Sequence, residues 1–316
     1  MIIEAIAKTD SFKMLAKESA NGTFPKALLL IGKDKFFLHE FAKAVSMLIL
    51  DGKVDAQSEN AQKIMAGAHP DVKSYPLKDK LLVADSEEIV EESFIKPIFA
   101  DRKVFIIHDI DNSMESAQNK LLKVVEEPSK NVYMIITCTA PDMVLPTIRS
   151  RCNKVEVGRL VDEEVRKLLP RADEELAELV LAVAEGQVGK AQAYAKMRNF
   201  EELCKDCLEV FTKMKASKDV LAHAKKLLSY KDQTSLILQV LALVVEDLLK
   251  IKSHIEPRLP YKEQLSAVTG DYTVRALCEI TALLDKVAKE KQYNVNMTLA
   301  IENLLLNILE VKYLCK

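Results

Sequence analysis

The sequence predicts an α/β core, a parallel five-stranded sheet with helices on both faces, followed by all-helical domains. Up to Gly158, short β-type apolar runs alternate with helix-type stretches, which is the pattern of parallel strands joined by crossover helices. From Leu160 onward, apolar residues recur almost throughout at the three- and four-residue spacing of packed helices.

Taken in order, residues 27–31, 72–75, 81–84, 103–108, 132–137 and 154–157 read as strands, one run more than the sheet expected. The first run ends at Gly32, and a helix resumes through Phe41, Val45 and Leu48. Asp85-Ser86-Glu87-Glu88 offers a cap with a carboxylate three residues on, starting a helix through Ile89, Phe94 and Ile95 that Pro97 stops. Ser113 can cap a helix with Met114, Ala117, Leu121 and Val125 on one face, ended by Pro128, so that Asn119 and Lys123 fall on other faces. Residues 176–183, 203–211, 236–249 and 299–309 carry helical periodicity, and 253–261, with Pro257 and Pro260, reads as a loop between helices. The most apolar stretch, 235–249, is interrupted by Gln239, Glu246 and Asp247 and is short for a membrane span, so it reads as a buried helix.

Composition narrows the function classes. The 316 residues are 49% hydrophobic and 29% charged, ordinary for a globular chain of about two or three domains. A net charge of −2 gives no overall basic surplus to drive phosphate binding, and 6% aromatics with no tryptophan argue against a base-stacking platform, so any DNA contact is expected to be local. The six cysteines, Cys138, Cys152, Cys204, Cys207, Cys278 and Cys315, show no four-ligand spacing. Cys204 and Cys207 form a C-x-x-C inside a helical pattern, where packing is the expected role, and reduced thiols in a cytoplasmic protein are expected throughout.

Strand, glycine and helix over residues 27–41 have the frame of a phosphate-binding loop without its chemistry. The pattern G-x-x-x-x-G-K-[ST] needs a second glycine for close backbone approach, a lysine for the outer phosphates and a hydroxyl for magnesium. Counted from Gly32, those places hold Phe37, Leu38 and His39. Two bulky apolar side chains would fill the phosphate space, so no ATP hydrolysis and no cofactor are expected.

Three further motifs follow: His69-Pro70-Asp71; N-K-L-L-K-V-V-E-E-P from Asn119 to Pro128; and the segment 145–152, which ends in Ser150-Arg151-Cys152. In that order they resemble the AAA+ clamp-loader subunits of bacterial DNA polymerase III, and most of all the delta-prime subunits. The resemblance covers about the first 190 residues well. It implies a core over 1–158 with a degenerate P-loop, a helical lid over 159–198 and a helical collar over 199–316 that packs with neighbouring subunits. It places the family's Walker B pair on His108 and Asp109, so the magnesium-holding carboxylate is a histidine, although Asp109 and Asp111 could still attract a cation. It also sets Gly189 of Gly186-Gln187-Val188-Gly189 where the family has its sensor-2 arginine. The family's cysteine-bound zinc module has no counterpart in residues 51–68, and no metal is expected.

By the same resemblance, Arg151 is an arginine finger lent to the ATP site of a neighbouring subunit, with Ser150 and Cys152 setting the backbone that aims it and Arg149 an internal strut. The implied partners are the gamma/tau motor and delta subunits in a hetero-pentamer, and the sliding clamp and primed DNA through the complex, with no membrane. The chain would be a stator without intrinsic activity, a component of the polymerase III holoenzyme. The alternatives are an ATP-binding motor subunit, or the clamp-opening delta subunit, a family that lacks the S-R-C signature.

Overall fold

Five of the six β-type runs pair into one parallel sheet. They are β1 (Ala27–Ile31), β2 (Val72–Tyr75), β3 (Lys103–Ile107), β4 (Val132–Cys138) and β5 (Asn153–Glu156), in the order β2-β3-β4-β1-β5. β1 lies between β4 and β5, with Leu29 opposite Ile136 on one side and Lys154 on the other. The computed structural model describes residues 2–170, 173–291 and 296–314, so Cys315 lies outside the described residues.

The chain divides into two compact units, one running to Leu168 together with Gly186–Lys190, the other formed by Leu169–Glu185 and the chain from Ala191 onward. The first unit holds the sheet and the helices α1 (Ile2–Lys8), α2 (Asp10–Ala20), α3 (Lys35–Asp51), α4 (Glu59–Met65), α5 (Val83–Glu92), α6 (Glu115–Glu126), α7 (Pro146–Arg149) and α8 (Asp162–Leu168). Period-two alternation sends Leu29, Phe105, Ile107, Met134 and Ile136 into one core with Ile89 of α5 and Ala117, Leu121, Val124 and Val125 of α6. Leu28, Leu30, Val104, Ile106 and Ile135 point the other way, also fully buried, and α3 runs against β1, β3 and β4. Near-continuous apolar strands are what a sheet covered on both faces requires.

The sixth run, 81–84, is not a strand. Leu81 is buried just before α5 opens at Val83, and Asp85 works from inside the first turn, accepting the Leu82 N–H at 2.8 Å, rather than standing before the helix as its cap. α5 also stops at Glu92, where the buried Ser93 hydroxyl turns back to Val90 O at 2.6 Å. Phe94 and Ile95 therefore lie beyond the helix and are exposed. α6 differs in a similar way. Ser113 gives its hydroxyl to Ile110 O, Met114 occupies the cap position and is exposed, and Gln118 joins the buried face instead.

His-Pro-Asp has a structural role in this sheet. Asp71, fully buried at the start of β2, accepts three backbone N–H groups, from Ile98 at 2.7 Å, Phe99 at 2.6 Å and Ala100 at 2.7 Å, and so fixes the loop that enters β3. The Asp71 N–H donates to His69 Nδ1 at 3.1 Å, while His69 Nε2 lies 3.1 Å from Asn60 Oδ1.

The second unit is helical: α9 (Glu174–Ala184), most of α10 (Val188–Lys196), α11 (Phe200–Thr212), α12 (Ser217–Ser229), α13 (Thr234–Lys252), α14 (Lys262–Val268), α15 (Val274–Glu290) and α16 (Met297–Leu314). Its core takes Phe200, Leu203, Cys207 and Phe211 from α11, Val240, Leu241 and Val244 from α13, and Ile280 and Leu304 from α15 and α16. The proline-bearing 253–261 segment is a loop, held by the fully buried Asp247, which accepts from Arg258 N at 2.8 Å and Leu259 N at 2.7 Å. Among the described residues, no helix is long and apolar enough to cross a membrane.

Candidate functional site

Local sequence builds the first wall of the site. β1 delivers Gly32, whose N–H donates to Cys138 O at 3.2 Å. A Cβ there would stand 3.1 Å from Val157 O and 3.2 Å from Leu38 Cδ2, so a side chain at 32 would have to push these neighbours back by a few tenths of an ångström. Asp34 then caps α3, its Oδ1 accepting the Phe37 N–H at 3.2 Å, while its Oδ2 accepts the Gly189 N–H at 2.9 Å. Phe37 and Leu38 turn inward and are almost completely buried, Phe37 packing edge-on against Phe41 at 6.3 Å. The cavity left among Gly32, Asp34, Phe37, Leu38, Gly158 and Gly186 measures about 10 Å³. That is room for roughly one water, where ligand pockets run to about 300 Å³ and more.

Gly189 closes this wall from the other side. A Cβ there would meet Phe36 Cβ at 2.7 Å and Asp34 Oδ1 at 2.9 Å. Gly189→Arg is accordingly expected to lower stability by about 1–3 kcal/mol through overpacking and to gain no nucleotide affinity. Urea unfolding and titration with a fluorescent ATP analogue check the two halves of that expectation.

At the ends of β3 and α3 the expected residues meet. The His39 and His108 rings lie 4.0 Å apart between centroids, and His39 Nε2 is 3.4 Å from Asp109 Oδ1. Lys35 Nζ donates to Asp109 Oδ2 at 3.2 Å. Asp109 takes a left-handed backbone, φ +50°, and its N–H donates to Thr137 Oγ1 at 3.0 Å. Burial raises the Asp109 carboxyl, but His39 and Lys35 more than offset it and hold the group below its usual range. Asp111 is occupied too, accepting from Thr139 N, Thr139 Oγ1 and Ala140 N at 2.9–3.1 Å. Asp109 is thus engaged at both oxygens, whereas Asp111 is engaged at Oδ2 alone and its buried Oδ1 has no hydrogen-bond partner among the described residues.

Lys35 stands at the head of α3 and is committed to Asp109 across 74 residues. Asp34, which the motif comparison passed over, was signalled by its place directly before an apolar helical run, the usual site of an N-cap. Its bond to Gly189 had no local signal.

Burial pushes His108 down to about 3 from an ordinary 6.5, with the neighbouring His39 adding to the effect and Asp109 opposing it. His108 is therefore neutral in the folded chain at pH 7. Its contribution to stability is present above the unfolded value and is lost as pH falls from about 6.5 toward the folded value. About 2 kcal/mol is expected to go between about pH 6.5 and about pH 4.5. His108→Gln should flatten that part of the urea-midpoint profile.

The second motif group gathers at the opposite end of α6. Arg151 follows α7, and its Nε pairs with Glu126 of the N-K-L-L-K-V-V-E-E-P motif, while Nη1 donates to Thr147 O at 3.0 Å. Ser150 Oγ donates to Thr147 O at 3.1 Å, and Cys152 is buried, its thiol pushed up to about 12 by burial. Arg149 is half-buried and reaches Asp142 at 3.4 Å. Gln118, singled out by no motif, ties α6 to the neighbouring loops, donating to Ile110 O at 3.3 Å and Met143 O at 3.2 Å and accepting from Leu145 N at 2.9 Å. Asn119 and Lys123 are exposed. The structure therefore separates the two predicted sets: Gly32, Phe37, Leu38, His39, His108 and Asp109 share one cluster, and Ser150, Arg151 and Cys152 join Glu126 instead.

Cys204 and Cys207 sit wholly buried within α11, and burial pushes the Cys204 thiol up to about 12.

The family model described as DNA polymerase III, delta subunit, matches residues 7–160. The DNA polymerase III subunit delta' of Bacillus subtilis (strain 168) is 25% identical over 286 residues, covering 84% of this chain and 85% of that protein. Over most of its length this chain is similar to a delta-prime clamp-loader subunit. A shorter match, 36% over 93 residues, joins 29% of the delta-prime-like chain to 16% of the gamma/tau subunit of Mycobacterium bovis (strain ATCC BAA-935 / AF2122/97). In fold, the delta-prime-like chain is similar over 96% of its length to the whole crystallised chain of a gamma subunit-related protein from Thermotoga maritima, with a TM-score of 0.51 at 19% identity.

Proposed function

We propose that this delta-prime-like chain is a non-hydrolysing stator of the bacterial sliding-clamp loader that lends Arg151 to the nucleotide site of an adjacent motor subunit. The observation that carries this reading is the filled cleft: about 10 Å³ remains where a triphosphate would lie, lined by Asp34, Phe37 and Leu38, with Gly189 bonded to Asp34 beside it. Lys35, the ammonium at hand, is held by Asp109. A pocket built this way has neither volume nor cation for ATP. Arg151, by contrast, is two-fifths exposed just after the short helix that Pro146 opens, with its guanidinium held by Glu126 and Thr147 O. A planar, permanently charged fork suits the charge spread over transferring phosphoryl oxygens.

On this reading the chain acts through partners: gamma/tau motor subunits and delta in a hetero-pentamer, and the clamp and primed DNA through that complex, in the cytoplasm. Core, lid and collar would follow the 1–158, 159–198 and 199–316 division, the collar joining the ring independently of nucleotide. The chain would contribute to the polymerase III holoenzyme without turnover of its own. Equilibrium titration of the purified chain with ATP and magnesium tests the first part, with no saturable binding expected. ATP affinity that disappears in Asp109→Ala would make the chain a motor subunit instead. Mixing with motor and delta subunits and sizing the product tests the second, and capture of the clamp by this chain alone would favour a delta role.

A further inference from the structure

Asp34 makes two hydrogen bonds that have the same character. The Phe37 N–H lies in the first turn of α3, the Gly189 N–H in the first turn of α10, and neither has a partner within its own helix. α3 has 17 residues and α10 has 9, so two helix dipoles turn their positive ends toward one carboxylate. In a phosphate-binding loop the first helix after the strand offers these N–H groups to the anion. Here the packing allows no second anion beside Asp34. Leu38 fills the space under Gly32, and the Gly189 Cα approaches so closely that a Cβ would stand 2.9 Å from Asp34 Oδ1 and 2.7 Å from Phe36 Cβ.

We propose that the Asp34 carboxylate is a built-in anion in the phosphate position, an autoinhibitory contact that satisfies both helix N-termini and draws the Gly186–Lys190 segment onto the loop without nucleotide. This inference rests on the filled-cleft reading and deepens it. The chain has kept the anion-binding end of the site and supplied the anion from its own sequence. Glycine at 189 belongs to the same device, because it is what allows the N–H to reach the carboxylate.

Chemical rescue separates this role from plain helix capping. Asp34→Ala is expected to lower the folding equilibrium constant about 2- to 30-fold, the range for losing an N-cap. Asp34→Ser keeps a capping oxygen for α3 but falls short of Gly189, so it remains folded while vacating the shared position. Inorganic phosphate should raise the urea midpoint of both variants more than it raises that of the wild type, with sodium chloride at matched ionic strength as the reference. Asp34→Asn, which keeps the volume and fills the position with a neutral amide, should show no such excess. Phosphate strengthens burial in every protein, so only the difference between variant and wild type counts. If phosphate lifts wild type, Ser and Ala forms equally, Asp34 is an ordinary cap and the proposal is wrong, while the non-hydrolysing reading stands. Saturable ATP binding by the wild type would instead overturn both.

Discussion

Arg151→Ala is expected to leave the chain folded and able to assemble while removing most of the clamp- and DNA-stimulated ATP hydrolysis at the interface it faces. The first half follows from the ion pair it gives up. Arg151 and Glu126 are 39% and 43% exposed, and pairs so open to solvent contribute about 1 kcal/mol at most. The second half follows from the chemistry proposed for it. Arginine fingers supply roughly 10³- to 10⁵-fold in rate, about 4–7 kcal/mol, because a fixed guanidinium meets charge that develops only in the transition state. Arg151→Lys should not rescue hydrolysis, since a point ammonium lacks the fork that Glu126 and Thr147 O hold in plane. Steady-state ATPase of the reconstituted loader, with sizing to confirm assembly, is the measurement. Unchanged turnover in the Ala variant would remove the finger role.

Asp71→Ala should have the largest effect on stability, a loss of about 3–5 kcal/mol read from the urea midpoint. Three N–H groups converge on one fully buried carboxylate, and truncation strands all three, each bond to a charged group being worth about 1.5–3 kcal/mol before relaxation. Asp71→Asn is also expected to destabilise, because its amide nitrogen turns a donor toward donors. Burial raises the Asp71 carboxyl, but the N–H groups of Ile98, Ala100 and Phe99 together with His69 pull it below its usual range. Stability drawn from it is therefore present above the ordinary carboxylate range and is lost as pH falls through the depressed folded value. Acid unfolding of the Asn variant should accordingly show less dependence on pH in that window.

How much of this was legible before the fold was known depends on how local each signal is. Residues 27–31 could be assigned as a strand because five consecutive apolar residues end at a glycine, and 132–137 for the same kind of reason. Residues 81–84 carried a similar signal, yet no neighbour pairs with them. Leu81 satisfies its burial beneath α5, and a short apolar run does not say whether a strand or a helix start will cover it. The cap of α6 failed for a related reason, since the Ser113 hydroxyl had a nearer acceptor in Ile110 O.

The sequence by itself determined the order of strand, glycine and helix, the bulky residues at Phe37 and Leu38, the histidine at His108 and the S-R-C signature, because periodicity and residue type act over a few positions. Tertiary structure alone decided what those residues face. Asp34 meets Gly189 across 155 residues, Lys35 and His39 meet Asp109, and Arg151 meets Glu126. One-dimensional pattern specifies which face of an element is buried, whereas the pairing of polar groups depends on where parallel strands and their crossovers bring distant chain ends together. The filled cleft is a property of that pairing, since a carboxylate beside one helix N-terminus stands in for phosphate only when a second helix points its N–H at the other oxygen of the same carboxylate.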